Sequence, residues 1–428
     1  MGLVLLLLGI VIVVALVFKG VPIFFTAVIA SIFLLATAGM NVIDGMTGDY
    51  ISGLGGYFQS QFWVFVLGAT FGNMFGVTGA ADAIAGAIIN KLGEKAIIPA
   101  IIIVGFVLSL GGVSVFVCFF AMYPLMLSMF KKADISCTLI PGLYFAGAGT
   151  ASGMLPGSPS VQNVIPCDFL GVDYAACAAP GWIAGIFEMV LVFIYCFWAV
   201  KRSKAKGMHF ERHDEVSEES GAKKDLPNVW VSLIPMAVLL IMMNVVKLSA
   251  AVSLFIGVLV AIACFFKHIE KGAFWKTLQE GAMGGVGSLF STAAITGFGT
   301  VVRTLPAFQT CIDLLRGMNG NPLILSVIAV AVLAGVCGSG SGGQGIALPI
   351  IQEYFIPMGV NLEALARCSA LACLTLDSLP QNGLVCSVLT YTKNSHKDAY
   401  IHVCATTVII PIITMIVLLA LCAVFGYM

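Results

Sequence analysis

Ser158, Ser160, Gln162 and Asn163 crowd into one short stretch, Leu155-Pro156-Gly157-Ser158-Pro159-Ser160-Val161-Gln162-Asn163. A second stretch, Leu376-Asp377-Ser378-Leu379-Pro380-Gln381-Asn382-Gly383, brings Asp377, Ser378, Gln381 and Asn382 together in the same way. Two glycine clusters add Gly112 and Ser114, then Ser339, Ser341 and Gln344. All of these are neutral hydroxyl, amide or bare-backbone groups except Asp377. Where glycine and proline interrupt a helix, unpaired N–H groups and the positive end of the helix dipole can hold an anion. Neighbouring carbonyls can hold a cation. The chemistry on offer is therefore recognition of a small polar anion, with one acid able to carry a proton. Nothing resembles a GxSxG elbow, an HExxH zinc site or a carboxylate–histidine cluster, so a membrane-embedded enzyme lacks its parts. No cofactor or metal is expected. Close helix packing through small residues would explain one glycine cluster. It does not explain several, matched in pairs.

The elements that carry these clusters are apolar. Of the 428 residues, 60% are hydrophobic and 10% charged, against roughly 25% charged in soluble domains, and the mean hydropathy is +1.04. The formal net charge of zero provides no basic field for nucleic acid. Windows long enough to cross ~30 Å of hydrocarbon run Gly2–Phe18, Pro22–Gly39, Gln61–Gly79, Ile97–Phe130, Cys137–Ile165 and Ala178–Val200, then Asn228–Val246, Ser249–Phe266, Gly284–Val302, Pro322–Ile356, Asn361–Thr390 and Tyr400–Phe425. Gly2–Phe18 has no basic residue ahead of it and no small-residue cleavage site, so it reads as a retained span rather than a signal peptide. Between the two series lies Lys201–Leu226, half of it charged, which cannot bury a core and serves as a linker.

Ile97–Phe130 and Pro322–Ile356 are too long for one span and too short for two, which need about 40 residues. Each has glycines at its centre, around Ser109–Ser114 and Gly338–Gly345. Both read as re-entrant hairpins, in which irregular backbone at membrane depth is buried or lines a cavity. Each is followed by a broken span that carries one of the polar stretches, and Gly149-Thr150-Ala151 matches Cys368-Ser369-Ala370 at the same offset before the break. With five crossings and one hairpin per half, the second half must start on the opposite side from the first. The expected fold is an all-α polytopic membrane protein of two inverted repeats, each five transmembrane helices plus a re-entrant hairpin. With a cytoplasmic linker, all but four of the 21 Lys and Arg residues (Lys247, Arg303, Arg316 and Arg367) fall inside, as the positive-inside rule requires. Both termini are then outside.

Charges within spans cost about 2.5–3.5 kcal/mol each on insertion scales, so they tend to be paired or functional. Asp377, within the second break, is the first candidate for ion coupling; capping a half-helix is its structural alternative. Glu188, inside the span Ala178–Val200, is the second candidate, against a role as a packed acid. Arg303 reads either as snorkelling to the interface or as attracting a substrate carboxylate. The thirteen cysteines lie in apolar runs with no CxxC and read as small hydrophobes.

The stretch Leu155 to Asn163, continued by Val164-Ile165-Pro166, resembles the signature of the gluconate permease family, which includes 3-hydroxybutyrate permeases. Phe71-Gly72-Asn73 and Thr78-Gly79-Ala80-Ala81-Asp82-Ala83-Ile84-Ala85 resemble it as well. The match is specific over about residues 60–175 and architectural beyond, where hairpins and broken helices are shared with dicarboxylate and citrate transporters. The resemblance implies proton-coupled symport of a hydroxylated monocarboxylate such as gluconate or 3-hydroxybutyrate, with sodium-coupled uptake of a dicarboxylate or citrate as the alternative. It also implies an elevator mode in a homodimer, in a bacterial inner membrane. Scaffold helices would be 1–95 and 228–320; transport-domain helices would be 96–200 (hairpin 97–130, broken helix 137–170) and 321–428 (hairpin 322–356, broken helix 361–391), with 201–227 the linker. It assigns substrate binding to Ser158, Gln162 and Asn163, and by extension to the matching second-half residues.

Overall fold

Apolar windows fold as helices in this protein; the second glycine cluster breaks only at Gly338–Ser339, with Gly340–Gly345 already in the next helix. The computed structural model describes residues 2–110, 115–211, 226–246, 248–270, 272–317 and 319–427. All regular structure among them is helical. Five helices are long and apolar enough to cross a membrane: Val115–Lys132, Ala178–Ala205, Ala250–His268, Phe274–Thr304 and His396–Val424. A sixth candidate is Val42–Thr78 continued by Ala80–Lys91 after a 68° bend. Shorter apolar helices include Val4–Phe18, Ile23–Thr37, Val229–Met242 and Pro322–Cys337. Large apolar side chains such as Val4, Val11, Ile186, Ile194, Phe255 and Ile416 are more than half exposed around the outside. Water does not favour such an exterior; lipid does. Trp182, Trp230 and Trp275 stand exposed in the opening turns of their helices, where interfacial aromatics belong.

The two sides of the linker run through the same series of elements. Two apolar helices come first: Gly2–Phe18 and Ile23–Thr37 before the linker, Val229–Asn244 and Ala250–Phe265 after it. A long helix follows, Val42–Thr78 or Phe274–Thr304, and then a short one, Ala80–Leu92 or Pro306–Arg316. The sequence windows stop short of this. Gln61–Gly79 and Gly284–Val302 cover only part of the two long helices, and the short helices are missing from them altogether.

Packing explains why the long helices extend so far. Val42–Thr78 and Phe274–Thr304 run against each other backbone to backbone. A Cβ at Gly281 would lie 2.6 Å from Thr70 Cα, and one at Gly285 would lie 2.4 Å from Phe65 O. Glycines that would weaken an isolated helix here permit the approach that membrane helices use for adhesion. Asn73 Nδ2 donates to Thr277 O at 2.8 Å across the same seam. Gly79, at φ +79°, supplies the left-handed turn into Ala80–Leu92. Asp82 in that helix accepts from Ser128 Oγ at 2.5 Å. The family-like stretch 71–85 is thus built into the seam and the bend.

Both long windows resolve into paired arms. The first hairpin has arms Ile97–Leu110 and Val115–Lys132; the second has arms Pro322–Cys337 and Gly340–Tyr354. In the second, a Cβ on Gly343 would meet Ala334 Cα at 2.3 Å, so only glycine lets the arms close. The first broken span comprises Ile140–Ala148, Ala151–Met154 and Val161–Leu170, and every residue of Ile140–Ala148 is buried. The second comprises Leu362–Ala372 and Gly383–Tyr391. Ala178–Ala205 closes the first half and His396–Val424 the second.

Candidate functional site

Each break is tied to the hairpin of its own half. In the second half, Gln381 Nε2 donates to Gly335 O (3.0 Å) and Asn382 Nδ2 to Gly338 O (3.1 Å), so the break grips carbonyls at the hairpin tip. Asn382 Oδ1 accepts from Val385 N at 2.9 Å and caps Gly383–Tyr391. Ser339 caps the second hairpin arm, its Oγ accepting from Gly342 N at 3.2 Å. Asp377 is buried at the start of that arm. Its carboxylate accepts from Ser378 Oγ at 2.9 Å and stands close beside Gly340. A Cβ on Gly340 would stand 3.0 Å from Asp377 Oδ2. An acid side chain therefore occupies the positive end of the helix Gly340–Tyr354, where an incoming anion would also be drawn.

In the first half, Ser152 Oγ donates to Ser109 Oγ at 2.9 Å, and Tyr144 Oη donates to Val115 O, which ties the break to both arms of the first hairpin. Gly112 and Ser114, the expected ligands at that tip, lie outside the described residues. Ser158, Ser160 and Asn163 turn onto their own loop. Ser158 Oγ donates to Ser152 O (2.7 Å), Ser160 Oγ to Gly153 O (2.8 Å), and Asn163 Nδ2 to Ser158 O (2.8 Å). These three side chains hold the shape of the break. Gln162 reaches the other half through its backbone, as described next, and Ser341 is part-exposed at the second hairpin tip.

Gln344 joins the halves. Its Nε2 donates to Gln162 O in the first break (2.9 Å) and to Ser369 O in the second broken span (3.1 Å). Three buried oxygens in this region, Gln344 Oε1, Gln381 Oε1 and Ser369 Oγ, have no hydrogen-bond partner among the described residues. Buried amide oxygens rarely go unpaired, and a bound solute offering donors would satisfy them. Arg303, at the end of Phe274–Thr304, extends its guanidinium to the tip: a Cβ on Gly342 would lie 2.8 Å from its Nη2, and the Cys337 thiol is also within its reach.

Arg367 is the residue that sequence reasoning missed. The charge distribution places it among the four outside cations, yet its side chain is wholly buried. Its Nε donates to Ala176 O, Nη1 to Met154 O (2.6 Å) and Asn163 Oδ1 (2.7 Å), and Nη2 to Tyr174 O (2.8 Å) and Ala176 O (3.0 Å). All five N–H donors are engaged. No carboxylate pairs with it among the described residues. The signal was available: Arg367 falls inside the apolar window Asn361–Thr390, where the insertion cost that singles out Glu188 applies equally. Glu188 is wholly buried in Ala178–Ala205, with neither carboxyl oxygen bonded to any described residue. Among the described residues no His, Cys, Asp and Glu cluster could hold a metal ion, and all thirteen cysteines are free thiols.

Comparison with known proteins adds a family. A model described as GntP family permease matches residues 1–424. The transporter YxjC of Bacillus subtilis (strain 168) is 28% identical, covering 92% of this chain and 93% of that protein. A gluconate permease of Zymomonas mobilis subsp. mobilis is 24% identical over 74% of this chain and 76% of its own length. The D-serine transporter DsdX of Escherichia coli (strain K12) is 23% identical over 79% of this chain and 80% of its own.

Proposed function

The chain belongs to the GntP family of permeases and is a multi-pass membrane protein, and from that premise we propose that it is a proton-coupled symporter of a small hydroxylated organic anion, of the gluconate or 3-hydroxybutyrate kind. One observation carries the coupling: the Asp377 carboxylate lies at the N-terminus of the second hairpin arm, close beside Gly340. A substrate carboxylate seeks the N–H groups and the dipole of that same helix end. Two anions at one helix end repel, so the substrate enters when a proton neutralises Asp377. Proton and anion then travel together because each makes room for the other. Arg303, beside Gly342, adds a cation at the tip that draws the anion in.

The substrate site in this reading comprises Gly112, Ser114 and Gln162 from the first half, on a loop that Ser158, Ser160 and Asn163 shape rather than line, and Ser339, Ser341, Gln344, Ser378, Gln381 and Asn382 from the second. Gln344 Oε1 and Gln381 Oε1, buried without donors, suit the hydroxyls of a sugar acid. They suit equally the hydroxyl and ammonium of a small amino acid, in keeping with the relative named as a D-serine transporter. Asp377 is the principal coupling acid and Glu188 the second. The halves act as inverted repeats, the hairpins and broken spans moving against the long-helix seam in an elevator. The protein works as a homodimer in the bacterial inner membrane, linker inside and termini outside.

Sodium-coupled uptake of a dicarboxylate or citrate is the second reading, favoured by the same unpartnered oxygens, which are also sodium ligands in kind. Proteoliposome uptake of labelled gluconate, 3-hydroxybutyrate, D-serine and citrate, under an imposed proton or sodium gradient, separates the two. Accumulation of a hydroxy acid driven by protons is the expected result. Accumulation driven by sodium at fixed pH selects the second reading.

A further inference from the structure

A cavity of about 840 Å³ lies where the chain enters the linker, lined by Lys206–His209 and Glu211 among others. It lies between the last turns of Ala178–Ala205 and the first turns of His396–Val424, with Ser136 and Thr138 also in its lining. Its walls are graded. Trp198, Ile401 and Ile409 give it an apolar side, and each is about half exposed on the outer surface of the protein. Arg202, Lys206 and Lys397 give it a basic end, and none of the three forms an ion pair among the described residues. Arg202 instead lies over the Trp198 ring, 4.9 Å from its centroid. Of the two acids in the lining, Asp398 accepts from Ser395 Oγ, and Glu211 is exposed at the start of the linker. His209, also in the lining, is paired with Asp134. Ser203 lines the cavity at only 6% exposure, and its Oγ has no partner among the described residues.

We propose that this cavity binds an anionic phospholipid, its phosphate held by Arg202, Lys206 and Lys397 and its acyl chains lying along Trp198, Ile401 and Ile409. Three cations at one end mark an anion. A lipid-facing apolar wall running into that basic end marks an amphiphile rather than a free phosphate. Basic pockets between spans on the cytoplasmic side commonly take acidic headgroups.

Native mass spectrometry of the full-length protein in mixed micelles tests this, with phosphatidylglycerol and phosphatidylcholine offered at equal concentration. The wild type retains phosphatidylglycerol and not phosphatidylcholine. The double variant Arg202→Gln/Lys397→Gln loses at least tenfold in phosphatidylglycerol occupancy, and so does Ser203→Met, which fills the cavity and keeps its charges. Lys201→Gln, outside the lining, binds as the wild type does. Glycerol 3-phosphate at millimolar concentration leaves the lipid in place. Equal retention of the two lipids, or unchanged phosphatidylglycerol occupancy in both cavity variants, overturns the proposal. Displacement by glycerol 3-phosphate also overturns it, and assigns the cavity to a soluble phosphate.

Discussion

Arg367 Nη1 stands 2.7 Å from Asn163 Oδ1, so a wholly buried arginine of the second broken span is bonded to the asparagine that closes the first break. The same guanidinium holds Met154, Tyr174 and Ala176 by their carbonyls. Backbone carbonyl oxygens carry partial negative charge and accept hydrogen bonds, and here they stand in for the carboxylate that usually accompanies a buried cation. The two halves are thereby fixed to each other at the irregular backbone on which the site depends.

Removing that cation leaves several buried acceptors without donors. Arg367→Met should destabilise the protein by about 1–3 kcal/mol for each neutral acceptor left buried without a donor. Arg367→Lys keeps the charge but loses the planar fork and should recover only part of the loss. Thermal melts followed by size-exclusion chromatography in detergent read this directly. A Met variant as stable as the wild type would remove the arginine from its structural role.

Gln344 donates to a carbonyl on each broken span. Gln344→Glu replaces the donor with an acceptor facing two carbonyls, so uptake should fall at least tenfold, and further than in Gln344→Leu. The ordering is the informative part. If Glu outperforms Leu in proteoliposome uptake, the amide is not acting as a donor across the halves.

The second hairpin closes only at glycine. Gly343→Ala forces a Cβ onto Ala334 Cα, which is backbone and cannot swing aside, and overpacking of this kind costs about 1–3 kcal/mol. Gly345→Ala, two residues on, meets nothing within 4 Å and should be neutral or stabilising by up to about 1 kcal/mol. Equal melting temperatures for the two variants would show that the arms do not pack as described.

Outside the membrane, His209 Nδ1 pairs with Asp134 Oδ2 at 2.7 Å where the chain enters the linker. The Phe210 N–H and the His209 ring beside Asp134 lower its pKa, and the hydrogen bond to Asp134 raises that of His209. The acid's contribution is present above its unfolded pKa of about 3.9 and lost as pH falls through its folded value. The histidine's is complete below its unfolded pKa of about 6.5 and lost as pH rises through its folded value. The clasp should therefore be tightest between about pH 4 and 6.5. Hydrogen exchange at Phe210 across that range should show maximal protection within it, and Asp134→Asn should flatten the profile.

Much of the architecture was readable in one dimension because glycine and proline inside an apolar run are costly unless the chain breaks there. Leu155–Ser160 and Leu376–Asn382 announce their breaks in this way, and Gly338–Gly345 announces one that is confined to Gly338–Ser339. The short helices Ala80–Leu92 and Pro306–Arg316 were not readable, since each mixes charge with apolar residues in too few turns to stand out. The long helices were cut short because Gly281 and Gly285 look like weaknesses until Thr70 and Phe65 are seen against them. Site residues were harder still. A serine or asparagine in a break faces a solute or a loop carbonyl with equal ease, and only the fold places Ser158 and Asn163 on their own loop. Arg367 is hard to read because one arginine near the start of an apolar window fits an interfacial position as well as a buried one.

The most direct measurement is of protons moving with substrate. Proteoliposomes loaded with a pH-sensitive dye, given a labelled gluconate gradient, report anion entry and lumenal acidification together in the wild type and in Asp377→Asn. The account predicts that gluconate entry acidifies the lumen of wild-type vesicles, and that Asp377→Asn exchanges gluconate without moving protons. Wild-type entry with no pH change, or an Asp377→Asn variant that carries protons and gluconate in the wild-type ratio, would contradict it.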